Sequence, residues 1–132
     1  MPADFFDTNV ILYLLDDSPR ADIAAGLLAS TGVVSVQVLN ETLVNCIKKA
    51  GMSWQQAGDF IAGIRQLCQV VDLTAEIHDV GTALGERYGL SVYDAMIVAA
   101  ALLSGCDRLY TEDMQDGLLV EGRLRLVNPF RA

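Results

Sequence analysis

Short apolar runs of four or five residues alternate along this chain with longer stretches whose apolar positions recur at helical spacing. Ala3–Phe6 reads as a strand, followed by a helix over about Thr8–Leu15. Ser18-Pro19 marks the next helix start, serine as N-cap and proline at the first helical position, and that helix is expected to reach about Ser30. Gly32 precedes a strand at Val33–Val36, and the helix after it, about Gln37–Ala50, ends on Gly51 as a left-handed cap. Ser53 caps a helix reaching about Cys68, and Gln69–Leu73 is the third strand. Thr74 caps a helix that Gly89 stops after Tyr88, and Ser91 opens another that Gly105 closes. Arg108–Thr111 and Leu124–Val127 complete the strands.

The strands are continuously apolar rather than alternating, as strands covered on both faces should be. Helices between them imply right-handed crossovers, so the pattern predicts an α/β domain with a largely parallel sheet. No repeat, low-complexity tract or linker interrupts it, and 132 residues fit one domain over the whole chain. In such sheets ligands bind outside the carboxyl ends of the strands, near the point where strand order reverses. Functional acids are therefore expected just after strands or in the first turns of the helices that follow.

Four acids meet that demand. Asp7 directly follows the first strand; alone it could simply cap the next helix, but Asn9, two residues on, adds a second oxygen-bearing side chain. Glu41 lies one turn into the helix after the second strand. An exposed glutamate near a helix start would be unremarkable, yet Val38 and Val44, three residues either side, put it partly on an apolar stripe. Ser91-x-x-Asp94 has the spacing of a capping box. The residues after it, Ala95 to Leu103, are apolar on every face, so Asp94 heads a buried helix and needs a partner for its charge. Asp113 follows the fourth strand by about the same interval as Asp7 follows the first. Its neighbours Glu112 and Asp116 read as loop acids, Asp116-Gly117 being turn formers.

Together the four are chemically compatible. Magnesium and manganese are hard ions that prefer carboxylate oxygen and keep several waters. Carboxylates packed together without a cation raise one another's pKa. Two ions about 4 Å apart can activate water and stabilise the leaving oxygen in an in-line displacement at phosphorus. The constellation reads as a metal-dependent nuclease site.

Composition adjusts this picture only slightly. Apolar residues make up 52% of the chain and charged ones 20%, enough for a substantial core. Cys46, Cys68 and Cys106 are widely spaced among apolar neighbours and read as core residues, not as disulfides or a zinc site. His78 reads as a surface residue. The start, Met1-Pro2-Ala3-Asp4, lacks the basic and apolar segments of a signal peptide, and no apolar stretch approaches the roughly 20 residues of a membrane span, which predicts a cytoplasmic protein. Net charge is −8, which excludes a generic basic DNA-coating protein. About two divalent ions among the four carboxylates would bring it nearer −4. The basic residues are uneven: Lys48-Lys49 sit together, and Arg123, Arg125 and Arg131 crowd the last ten residues. Trp54, at a helix start, reads as a surface or dimer contact rather than a base-stacking platform.

The order Asp7-Thr8-Asn9, Asn40-Glu41, Tyr93-Asp94-Ala95 and Thr111-Glu112-Asp113 resembles the PIN-domain family over nearly the whole chain. The resemblance is closest to the VapC-type toxin ribonucleases of toxin–antitoxin pairs. It implies a three-layer α/β sandwich around a central, mostly parallel five-stranded sheet. It also implies magnesium- or manganese-dependent endoribonuclease activity, in a homodimer held inactive by a cognate antitoxin. By motif, Asp7 and Asp94 would be the principal metal ligands. Glu41 and Asp113 would complete the acidic pocket, with Glu41 placed to position or deprotonate the attacking water. Asn9, Thr111 and Asp116 would be supporting groups. Under this resemblance Lys48, Lys49, Arg123, Arg125 and Arg131 become candidates to hold RNA phosphates.

Two other readings stay open at this level. An aspartyl-phosphate phosphatase also places a nucleophilic Asp after its first strand, but that pattern wants a second Asp where this chain has Asn9. A domain of the same fold could bind RNA or protein without cutting; the complete acid set argues against it.

Overall fold

The computed structural model describes residues 3–30 and 32–131, which leaves Met1-Pro2, part of the start read above, outside the described residues. Six strands form one sheet in the order β3-β2-β1-β4-β6-β5. In chain order the elements are β1 (Asp4–Phe6), α1 (Thr8–Leu12) with a 3-10 turn at Tyr13–Leu15, α2 (Pro19–Leu28), β2 (Gly32–Ser35), α3 (Val36–Lys48) and α4 (Trp54–Leu67). They continue with β3 (Cys68–Val71), α5 (Ala75–Tyr88), α6 (Val92–Leu103), β4 (Arg108–Tyr110), β5 (Leu119–Val120) and β6 (Leu124–Val127).

Strands β3, β2, β1, β4 and β6 are all parallel. These are the five expected. The sixth, β5, is two residues long and pairs antiparallel with β6 at the edge. A strand this short carries no periodic signal, and a turn through Glu121 and Gly122, both at positive φ, returns it onto β6.

Capping serines and threonines set the helix starts. Ser18, Ser53, Thr74 and Ser91 each accept a backbone N–H of the first turn, and Gly89 ends α5 in the left-handed conformation. One expected boundary shifts. Val36 opens α3 rather than closing β2, because the buried Ser35 hydroxyl accepts the Val38 N–H and starts the helix there. Likewise Cys68 opens β3 rather than closing α4.

The core lies on both faces of the sheet and is centred on Phe5, Phe6, Val34, Ile97, Val98, Leu109 and Leu126, all fully buried. Helix α6 is buried from Ala95 to Leu102, as its unbroken apolar run predicts. The three cysteines are free and buried, and His78 is exposed. Among the described residues, no helix is long and apolar enough to cross a membrane.

Candidate metal centre

Strand order reverses between β1 and β4. The chain leaves β1 towards β2 and β3 on one side, then returns through α5 and α6 to β4 on the other. Asp7 emerges from β1 at this point, its N–H bonded to the carbonyl of Tyr110 at the end of β4 (3.0 Å). Its side chain is 3% exposed. One carboxylate oxygen accepts the Thr8 N–H at 2.7 Å, capping α1, and the other accepts the Thr111 hydroxyl at 2.8 Å. Asp7 is thus both a cap and a site residue.

The other three acids gather around it. Asn9 donates through Nδ2 to Asp7 (3.3 Å) and to Asp113 (3.0 Å), and its Oδ1 accepts the Glu112 N–H. Thr111 Oγ1, which donates to Asp7, also accepts the Asp113 N–H at 3.3 Å. Glu41 reaches across from α3, accepting the Thr8 hydroxyl at 3.2 Å and Gln37 Nε2 at 2.8 Å. Asp94 sits in the first turn of α6, where Ser91 Oγ accepts its N–H. The reciprocal half of a capping box is absent from this turn, in contrast to Ser53 and Gln56 in α4, where both halves form. No hydrogen bond among the described residues engages the Asp94 carboxylate, so capping does not account for it.

Burial pushes the Asp7 carboxyl up to about 6, opposed by the bonds from Thr111 and Thr8 and reinforced by the negative charges of Asp94 and Glu41. The charges of Asp94 and Glu41 thus reach Asp7 through space. Yet among the described residues no three His, Cys, Asp or Glu side chains lie close enough to close around one ion. Uncharged donors moor Glu41 and Asp113, keeping these acids around Asp7 rather than in a tight cage.

The remaining candidates separate clearly. Asp116 accepts the Asn128 N–H at 2.8 Å and pairs with Arg131 at 3.4 Å, tying down the chain after β6. Glu112 binds the Tyr13 hydroxyl and lies 3.6 Å from Arg20. Lys49 lines a cleft that also holds Asn9 and Asn45, and Lys48 is exposed at the end of α3. Arg123 precedes β6 and lies beside Cys106 and Asp107, which precede β4, at the amino ends of the strands and away from the acids. Arg125 donates to the Gly117 carbonyl. Trp54 is 73% exposed on α4 and lines neither cleft flanking the acids. Residues not singled out by sequence reasoning also enter the site. Thr8 links the Asp7 turn to Glu41, and Gln37 anchors Glu41 from one helical turn before it, a spacing that could have signalled the contact.

A sequence model described as the PIN domain matches residues 5–115. This chain belongs to the PIN-domain family. Curated protein sequences include no match to it. Solved structures with the same fold include a toxin–antitoxin complex from Klebsiella pneumoniae, 22% identical, covering 98% of this chain and 100% of that one, with a TM-score of 0.77. VapC20 of Mycobacterium tuberculosis, described as a sarcin-ricin loop cleaving toxin, is 23% identical over 84% of this chain and 90% of its own, with a TM-score of 0.68. DNA-bound VapBC from Salmonella typhimurium is 19% identical over 96% and 98% of the two chains, with a TM-score of 0.70. The PIN fold expected from the four acidic motifs is therefore the fold of this chain, and Asp7, Glu41, Asp94 and Asp113 all fall within the matched residues.

Proposed function

We propose that this PIN domain is a divalent-metal-dependent endoribonuclease that hydrolyses RNA phosphodiester bonds, acting as the toxin of a toxin–antitoxin pair. The observation that carries the reading is the Asp7 carboxyl, buried at the switch point, with its pKa raised chiefly by that burial and further by the negative charges of Asp94 and Glu41. Such a group is costly without a cation to offset it.

The donor set fits magnesium or manganese. All the donors are carboxylate oxygens, and a hydrated ion needs only one or two direct carboxylates, the rest acting through water. Asp7 and Asp94 would hold the ion directly, and Glu41 and Asp113 would hold its waters. The ion would supply positive charge against the phosphate oxygens. Glu41, kept in place by Thr8 and Gln37, orients the attacking water and accepts its proton as the new oxygen–phosphorus bond forms and the bond to the leaving ribose oxygen breaks. Asn9 and Thr111 hold Asp7 and Asp113 in register, and Lys49 contacts a neighbouring phosphate.

The toxin–antitoxin assignment is supported by the neighbours, one of which is described as a toxin–antitoxin complex and another as a toxin. On this reading the protein works in the cytoplasm as a homodimer restrained by an antitoxin.

The test is incubation of the purified chain with total RNA and magnesium or manganese, repeated with chelator and with Asp94→Asn. Cleavage that both treatments abolish is expected. Cleavage that persists in chelator would contradict the mechanism, and acid-labile phosphate on Asp7 would favour the aspartyl-phosphate reading.

A further inference from the structure

Beside the acids lies a cleft of about 370 Å³, lined by Gln37, Asn40, Glu41, Val44, Asn45 and Tyr93. Glu41 forms one wall of the cleft, and Tyr93 immediately precedes Asp94, so the cleft borders the acidic residues. We propose that it is a nucleobase subsite, in which Tyr93 stacks on the base next to the phosphodiester that is cut. The proposal rests on the nuclease reading above and adds to it the part of the RNA that the site grips.

Its lining selects a neutral, flat, hydrogen-bonding group. Tyr93 is 66% exposed and Val44 50% exposed, an aromatic and an apolar surface left in contact with water in a mainly apolar cleft with amide groups in its lining. Among the described residues no Lys, Arg or His lines the cleft, and the one charge there is the Glu41 carboxylate, which repels phosphate. The opposite cleft shares Asn45 but contains Lys49, Tyr13 and Asn9. Asn9 touches Asp7 and Asp113, while Glu41 belongs to the first cleft, so a strand running through both clefts crosses the acids. A base enters on the Tyr93 side and the phosphate of an adjoining nucleotide meets Lys49.

The amides also carry a preference. Gln37 donates its Nε2 to the Glu41 carboxylate, and Asn45 donates its Nδ2 to the Glu41 carbonyl, both at 2.8 Å. These bonds fix which way each amide is turned and leave Gln37 Oε1 and Asn45 Oδ1 as acceptors. The Glu41 carboxylate, which only accepts, suits bases bearing an exocyclic amino group (adenine, cytosine or guanine) over uracil.

Steady-state cleavage of single-stranded decaribonucleotides differing at one position beside the cut site tests this. Tyr93→Ala is expected to raise KM about 5- to 100-fold, the span of base–aromatic stacking, with a smaller change in kcat, while Tyr93→Phe stays within about twofold of the parent. Uracil at one position adjoining the cut should be disfavoured by about tenfold. Unchanged KM in Tyr93→Ala, a Tyr93→Phe defect equal to that of Tyr93→Ala, or no discrimination against uracil overturns the subsite while leaving the nuclease intact. A Tyr93→Ala variant that changes oligomeric state in size-exclusion chromatography also overturns it, because a second copy of the chain then covers the ring. If the parent protein with metal cuts no RNA, both readings fall.

Discussion

Replacing Asp7 by asparagine is expected to remove RNA cleavage by two to three orders of magnitude, about the cost of losing one charged group aimed at the transition state, and at the same time to stabilise the folded chain at neutral pH. The two effects share one cause. In the fold the Asp7 carboxyl is raised from 3.8 to about 6, chiefly by burial. A carboxyl with a raised pKa holds its proton more tightly when folded than when unfolded, so it favours folding in acid. That contribution is lost as pH rises from about 4 through about 6. The shift is about two units, and at 1.36 kcal/mol per unit the ionised group costs roughly 3 kcal/mol at pH 7 and above.

Asparagine carries no charge at any pH and still accepts the Thr8 N–H. It places an amide NH2 where Asp7 accepts both the Thr111 hydroxyl and the Nδ2 of Asn9, which gives back part of the gain. Urea unfolding in chelator should show Asp7→Asn more stable than the parent by about 1–3 kcal/mol at pH 7.5, with the difference shrinking towards zero near pH 4. A variant less stable than its parent at pH 7.5, or a difference that does not change with pH, would contradict this account of Asp7.

The second large effect lies in the support beneath Asp7. A Cβ at Gly32 would come within 2.4 Å of Phe6 Cε2, 3.0 Å of Phe6 Cδ2 and 3.4 Å of Cys68 Sγ. Phe6 is fully buried and stacks on Tyr110 with ring centroids 5.6 Å apart, so the ring has no open side to move into. Gly32→Ala is therefore expected to cost about 1–3 kcal/mol as overpacking, and Phe6→Ala about 3–5 kcal/mol as a cavity. In the double variant Gly32→Ala/Phe6→Ala the new methyl occupies space vacated by the ring. Its cost should fall below the sum of the single changes by about 0.5–3 kcal/mol. Because Phe6 directly precedes Asp7, Gly32→Ala should also reduce cleavage when the variant is held well below its melting temperature. Equilibrium unfolding of the three variants decides the point, and a neutral Gly32→Ala would refute it.

Much of this was legible in the sequence because local chemistry and fold agree. Ser18-Pro19, Ser53, Thr74 and Gly89 mark helix ends by side-chain or backbone properties that no tertiary contact needs to modify. The apolar run of β2 announced a strand covered on both faces, whereas β3 and β6 each carry an exposed polar residue, Gln69 and Arg125, that breaks the run. Strand β5 escaped because two residues hold no period, and Val36 was misplaced because its β-branched side chain suits a strand while the Ser35 cap before it starts a helix.

The site was legible in membership but not in its connections. Position after strands selected the acids. That Glu41 reaches Asp7 through the Thr8 hydroxyl depends on how α3 packs on α1, a long-range contact no local pattern encodes. The same holds for Asp116, whose partners lie in the chain after β6. The position of Arg123, by contrast, could have been read: a residue preceding a parallel strand lies at its amino end, opposite acids that follow strands. For Asp94, the capping spacing offered a structural explanation that the carboxylate itself does not use.

The claim on which the rest depends is that these carboxylates hold a divalent cation, and titration calorimetry of manganese into the purified chain at pH 7.5 tests it most directly. Saturable binding is expected, weakened by at least about tenfold in Asp94→Asn and falling steeply below pH 6, as protons compete for Asp7. No binding at millimolar manganese, or equal affinity in the parent and Asp94→Asn, would contradict it.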